Sequence, residues 1–244
     1  MTVAERLGLP DTRLVPTPAF MTVDAAVQRI QADAGVLIVH GPTGTGKRTA
    51  IGYWSDKPGV HPERIAFANP PDLWELSDYV ASIVLADTSR RNLIELQQKI
   101  IAKLSLEPRP IWIDPDRMTA AGVRLIRHIW EESGGSSPIF ISCTDPGFAR
   151  VANDRVLLDN AHVIRFRTLT KPEVVTWIPG YHPIYNDAPD QWLIFIDDRY
   201  AHGFLSRWQT FTRTATLLAA EERCEGRVTS GLINAVLQRL DQAP

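Results

Sequence analysis

The apolar run Gly35-Val-Leu-Ile-Val-His40 leads directly into Gly41-Pro-Thr-Gly-Thr-Gly46-Lys47-Arg48-Thr49. No other feature of the chain restricts its fold as strongly. A short β-rich run that enters a glycine-rich turn and then opens a helix is the context of a phosphate-binding loop. Glycines let backbone N–H groups converge on phosphate oxygens, and the following helix presents its positive end to them. The loop Gly41, Pro42, Thr43, Gly44, Thr45 and Gly46 is thus expected to hold phosphates, with Lys47 reaching the β- and γ-phosphates. One position departs from the motif. A Ser or Thr directly after the lysine holds Mg²⁺, and here that place is Arg48. Thr49 follows one residue later, about 100° further round the helix, and is the substitute metal ligand. Nucleotide binding follows from this loop; efficient hydrolysis does not.

The rest of the chain alternates strand and helix patterns. Residues 1–19 are punctuated by Pro10, Pro16 and Pro18 and read as an arm. Thr22 is expected to cap a helix carrying Val23, Ala26, Val27 and Ile30. Arg64–Asn69 reads as a second strand, Pro110–Asp114 a third, Pro138–Ser142 a fourth and Ala161–Phe166 a fifth. Between them, Leu73, Leu76, Val80 and Ile83 share one helical face, as do Leu93, Leu96, Ile100 and Leu104. Leu125, Ile126 and Ile129 lie on a helix that Thr119 can cap. Such alternation implies parallel strand pairing within an α/β core at 20–168. Beyond it the alternation stops, and 169–244 reads as a small helical domain. Within that stretch Trp192–Ile196 fits a helix or a strand equally.

Composition narrows the partners. The chain has 244 residues and a net charge of −2, so it is no global polycation, and any nucleic-acid contact must come from a local patch or from many subunits. Its two cysteines, Cys143 and Cys224, form no disulfide framework and fit a reducing compartment. The start lacks the layout of a signal peptide and no apolar run reaches membrane length, so a cytoplasmic protein is expected.

Two further constellations surround the loop. Asp114 ends an apolar strand beside it, where a carboxylate holds Mg²⁺, commonly through water. The next position, where a Glu would orient the attacking water, is Pro115; Asp116 is the nearest carboxylate. At the end of the fourth strand, Thr144, and after it Ser142, is placed to sense the γ-phosphate. Equally, these hydroxyls can close a strand and cap the next helix.

The three motifs together, with the Ile-Asp-x-Asp-Arg-Met and Ile-Ser-Cys-Thr-Asp strand ends, resemble those of AAA+ ATPases. More specifically, the arrangement is similar to that of the small transposition regulators of the MuB, TniB and TnsC type. In that group the second motif carries the Glu missing here. The resemblance covers roughly residues 20–240 and implies a P-loop AAA+ core, a parallel sheet flanked by helices, with a C-terminal helical lid. It further implies that ATP and Mg²⁺ are bound between subunits, that the protein assembles as a filament or ring on double-stranded DNA without sequence preference, and that it presents DNA to a transposase. An arginine completing a neighbour's site would be Arg155 or Arg150, and the lid arginine would be Arg207, within His202–Thr212. A hydrolysis rate lowered by Arg48 and Pro115 is expected. A helicase loader and an ATP-binding scaffold are the alternatives.

For DNA, the basic residues singled out are Arg90 and Arg91 and, four apart on the following helix, Lys99 and Lys103. Arg124 and Arg127 form a second pair on another helix. Charge runs like these are usually solvated faces, which is the more ordinary account of either pair. One or two phosphate contacts per subunit would sum along a filament.

Overall fold

The computed structural model describes residues 8–55, 63–67, 69–85, 92–221 and 226–242. These fall into two compact units, one from Met1–Pro18, Thr43–Gly46 and Arg167–Pro244, the other from Ala19–Pro42 and Lys47–Phe166.

The α/β unit is a five-stranded sheet, every pairing parallel, in the order β2-β3-β4-β1-β5. The strands are β1 (Val36–His40), β2 (Glu63–Ile65), β3 (Ile111–Ile113), β4 (Ile139–Cys143) and β5 (Ala161–Arg165). Every residue of β1 and β4 is buried, which explains why they read as unbroken apolar runs rather than as alternation. β2 is shorter than its apolar pattern, ending at Ile65 ahead of Pro70 and Pro71.

Helices of this unit are α1 (Pro18–Asp33), α2 (Lys47–Ser55), α3 (Leu73–Val84), α4 (Leu93–Leu106), α5 (Ala120–Glu132), α6 (Asp145–Ala152) and α7 (Arg155–Asp159). The apolar faces of α3, α4, α5, α6 and α7 share one core with the sheet that includes Ile38, Leu76, Ile100, Ile113, Ile126 and Ile141. Two starts follow their sequence signals. Asp72 and Glu75 form a reciprocal capping box on α3, and Thr119 Oγ1 accepts from Gly122 N at 3.1 Å on α5. Thr22 does not cap α1. That helix begins four residues earlier, at Pro18, because a proline in the first turn has no N–H to leave unpaired.

The helical unit comprises α8 (Lys171–Trp177), α9 (Asp190–Ile196), α10 (Leu205–Glu221) and α11 (Ser230–Asp241) around a second core that includes Val174, Tyr185, Trp208, Phe211 and Ile233. The ambiguous run Trp192–Ile196 is helical; its Leu193 and Ile196 face this core, and Phe195 is exposed. After α9 the chain makes a π-turn over Asp197–Ala201, and His202 and Gly203 take left-handed backbone angles before α10. Asp197, buried, fixes this corner by accepting from Gly203 N at 2.7 Å and Trp208 Nε1 at 3.2 Å.

Residues 8–17 have no regular structure, as their prolines require, yet they are packed rather than loose. Leu9 and Val15 are buried, Arg13 N donates to Tyr181 O at 2.8 Å, and His182 Nε2 lies 3.1 Å from Pro10 O.

Candidate nucleotide site

The sheet order places β4 between β1 and β3, so the glycine loop, Thr144 and Asp114 leave neighbouring strand ends at the same edge. In parallel α/β sheets this carboxyl edge is where ligands bind. The loop's first glycine is required by the backbone. Gly41 has φ +137°, and a Cβ there would sit 2.0 Å from Phe166 O, just past β5. Gly44 and Gly46 have φ of +86° and +95°, a region side chains rarely enter.

Lys47 opens α2 and is buried. Its Nζ donates to Gly41 O at 2.7 Å and Pro42 O at 2.6 Å, so the ammonium is held against its own loop. Burial lowers its pKa, and the nearby Asp116 carboxylate works in the opposite direction. A buried cation whose partners are two neutral carbonyls is poised for an anion.

The carboxylate end differs from the motif. Asp114 is buried, with Oδ2 held by Arg48 Nη2 at 2.5 Å and a second guanidinium, that of Arg64, at 3.7 Å. Asp114 Oδ1 is buried with no hydrogen-bond partner. Arg64 also lies over the Trp112 ring, 5.0 Å from its centroid. Ser142 is buried and accepts from Trp112 Nε1 at 2.9 Å, so its hydroxyl braces β3 against β4. These donors do not fit a magnesium ion. A guanidinium holds one oxygen of the carboxylate that should ligate it, and the adjoining hydroxyl is replaced by that same arginine.

Asp116 and Thr144, singled out for separate roles, are joined to each other. Asp116 Oδ1 accepts from Thr144 Oγ1 at 2.7 Å and from Thr144 N at 2.9 Å, and Oδ2 lies 3.1 Å from the same N–H. Thr144 Oγ1 in turn accepts from Gly147 N at 3.4 Å and caps α6. A Cβ on Gly147 would come within 2.2 Å of Asp116 Oδ1, so a glycine is what lets the carboxylate lie there. Arg150 donates to Met118 O at 2.8 Å and Asp116 O at 3.3 Å, holding the short turn after β3. Pro115 opens that turn.

Sequence reasoning missed His40, the last residue of β1. Its Nδ1 is 2.8 Å from Asp145 Oδ1 and its ring stacks on Phe148 at 4.0 Å. That bond, with Arg165 at 3.7 Å, holds the Asp145 carboxyl below its usual range. The position directly before a phosphate loop was the signal available. Cys143, at the end of β4, is buried, and desolvation pushes its thiol up to about 12.

Thr49 is half-buried on α2. Arg155, at the start of α7, is exposed and forms no hydrogen bond or ion pair among the described residues. Arg207 is exposed, donates to Tyr200 O at 3.0 Å and stacks on Phe204. Arg90 and Arg91 lie outside the described residues. On α4, Lys99 is exposed, and Lys103 is paired with Glu107. Arg127 is paired with Glu131 and Asp154.

No protein-family model matches this chain, and no curated protein matches it. Solved structures do. The chain is similar to the Orc1 protein of Aeropyrum pernix in complex with DNA, with a TM-score of 0.62 and 17% identity over 96% of this chain and 68% of that one. Cdc6p from Pyrobaculum aerophilum gives 0.65 and 11%, over 99% and 75%. The RuvB Holliday junction branch migration motor of Thermotoga maritima gives 0.58 and 12%, over 92% and 69%. A fourth, the signal transduction ATPase PH0952 of Pyrococcus horikoshii with a tetratricopeptide repeat sensor, gives 0.51 and 14%; this chain spans 32% of it. At these identities the likeness is one of fold. The fold is that of the AAA+ ATPases, a P-loop core with a parallel sheet flanked by helices.

Proposed function

We propose that this chain binds ATP at the Gly41–Thr49 loop and uses it to govern assembly on double-stranded DNA. One observation carries the reading: a buried Lys47 at the mouth of a glycine loop, on an AAA+ sheet with Asp114 and Thr144 at the same edge. The DNA half is supported by the likeness to an Orc1 protein in complex with DNA and to a branch migration motor. ATP acts here as an assembly ligand rather than as fuel for a fast motor. Asp116, the carboxylate nearest the place of the missing Glu, has its oxygens committed to Thr144, and Pro115 has no side chain able to orient water. Lys47 supplies the charge that holds the phosphates. Arg155, exposed and unpaired among the described residues, is the arginine offered to a neighbouring subunit, its planar fork suited to phosphate oxygens. Arg207 is the arginine of the helical lid.

The sequence resemblance to transposition regulators supports a transposase as the partner to which the DNA is presented. A helicase loader shares the fold, and pull-downs with a transposase and a replicative helicase separate the two. A second reading, an ATP-binding signalling module, draws on the likeness to the PH0952 signal transduction ATPase. Imaging with ATP, with and without duplex DNA, distinguishes it. DNA-dependent filaments or rings, sequence-indifferent and weakened steeply by salt, support the assembly reading. Nucleotide binding with no change of assembly on DNA supports the signalling module instead.

A further inference from the structure

Resting on the nucleotide reading above, we infer that this loop binds nucleoside di- and triphosphates without a divalent cation, Arg48 serving as the built-in positive charge. The motif asks for a hydroxyl after the lysine because that hydroxyl and the strand-end carboxylate share a magnesium ion. Here the same two positions are joined to each other directly, Arg48 Nη2 to Asp114 Oδ2 at 2.5 Å. The pair is asymmetric in a useful way. The Asp114 side chain is 5% exposed and that of Arg48 is 61% exposed, so the carboxylate anchors a guanidinium that stays largely open to solvent. A guanidinium carries five N–H donors in a planar fork and stays charged at any working pH. One donor suffices for Asp114; the others are left to phosphate oxygens. Arg64, 3.7 Å from the same Asp114 oxygen and stacked over Trp112, adds a second positive charge at this carboxylate.

A magnesium ion entering this place would meet two guanidinium groups and a carboxylate with one oxygen already engaged. The tethered arginine has its own repulsion from Arg64 and Lys47 offset by the Asp114 carboxylate it is bonded to. It also lacks the metal's ability to polarise a phosphoryl oxygen, so the exchange retains binding and gives up reactivity. The exchange explains why the glycine loop and Lys47 are intact while the residues around the attacking water are not.

Calorimetric titration with ATP and with ADP, in excess EDTA and in excess Mg²⁺, tests this on the full chain. Affinities in the two buffers are expected to agree within about threefold. The Arg48→Thr variant is expected to lose about tenfold or more of its affinity in EDTA and to recover it with Mg²⁺. A thermal melt establishes that the variant is folded, and the wild-type comparison stands alone if it is not. Wild-type affinity that falls tenfold or more in EDTA overturns this inference and leaves the nucleotide reading in place. No binding in either buffer overturns the nucleotide reading, and this inference with it.

Discussion

At the carboxyl edge of the sheet, the end of β1 and the end of β3 are built from different materials. The β1 end is a backbone construction: three left-handed glycines and two loop carbonyls around one lysine. The β3 end is a side-chain construction in which Asp114 takes Arg48 and Asp116 takes Thr144. Backbone geometry of this kind admits few alternatives, because a Cβ at Gly41 has nowhere to go. Side-chain pairs can be exchanged one charge at a time. The phosphate-holding part of the motif is therefore intact, and the departures gather where metal and water would act.

The hardest blow to this contrast falls on Gly41. Gly41→Ala puts a methyl 2.0 Å from the Phe166 carbonyl oxygen at φ +137°, and backbone cannot yield as a side-chain tip would. A loss of about 3 kcal/mol or more is expected, enough to lower the melting temperature by several degrees or to prevent folding. A variant that melts within a degree of the wild type would show that the loop's backbone is not what fixes this end.

Next in size is Lys47→Ala. Nucleotide affinity should fall about a hundredfold, read by calorimetry. Stability should fall by about 1 kcal/mol, less than the binding effect, since the buried Gly41 carbonyl loses its donor. The split between a large binding effect and a small folding effect is the signature of a residue kept for its ligand. Equal losses in both would make Lys47 a structural part of the loop.

How far the sequence carried differs between the same two ends. The β1 end was legible because its information is local: an apolar run, glycines and a lysine in consecutive positions. The alternation of strands and helices made parallel pairing legible, but not which strand lies beside which. The β3 end was legible as a departure, through Arg48 and Pro115, but not as a structure. That Arg48 would reach a carboxylate 66 positions away, or that Asp116 would settle on Thr144, depends on contacts across the fold. The packing of Leu9 and Val15 was hidden for another reason. Their segment has no periodicity, so burial left no pattern to read. Within α1, the proline at its start outranked the Thr22 cap, two signals that compete at short range.

Asp116→Asn probes the side-chain end. The carboxylate accepts from the Thr144 N–H and hydroxyl at the start of α6, where a negative charge also meets the helix's positive end. An amide keeps one acceptor oxygen and loses the charge, so destabilisation of about 1–2 kcal/mol is expected in denaturant melts. Nucleotide affinity should hold, and any slow turnover should change by less than about threefold. Turnover of order one per second that vanishes in this variant would make Asp116 the working base and would break the division between the two ends.

The finest test uses Cys143, which stands between them. Its thiol is buried at the end of β4, and burial raises its pKa from 9.0 to about 12; the Asp116 carboxylate adds to the rise and Lys47 opposes it. Raised in the folded state, the thiol contributes stability that is fully present below about pH 9. That contribution is lost as the pH climbs towards 12. Ultraviolet absorbance of the thiolate, in a Cys224→Ser background, should therefore show Cys143 still protonated well above pH 9. Replacing Lys47 by Ala should push the onset of ionisation higher, and Asp116→Asn should bring it lower. Those opposite signs follow because one variant removes a neighbouring cation and the other a neighbouring anion. Shifts of the same sign in both variants would mean that solvent access at the end of β4 is what the thiol reports, and that the two ends are not electrically distinct at this point.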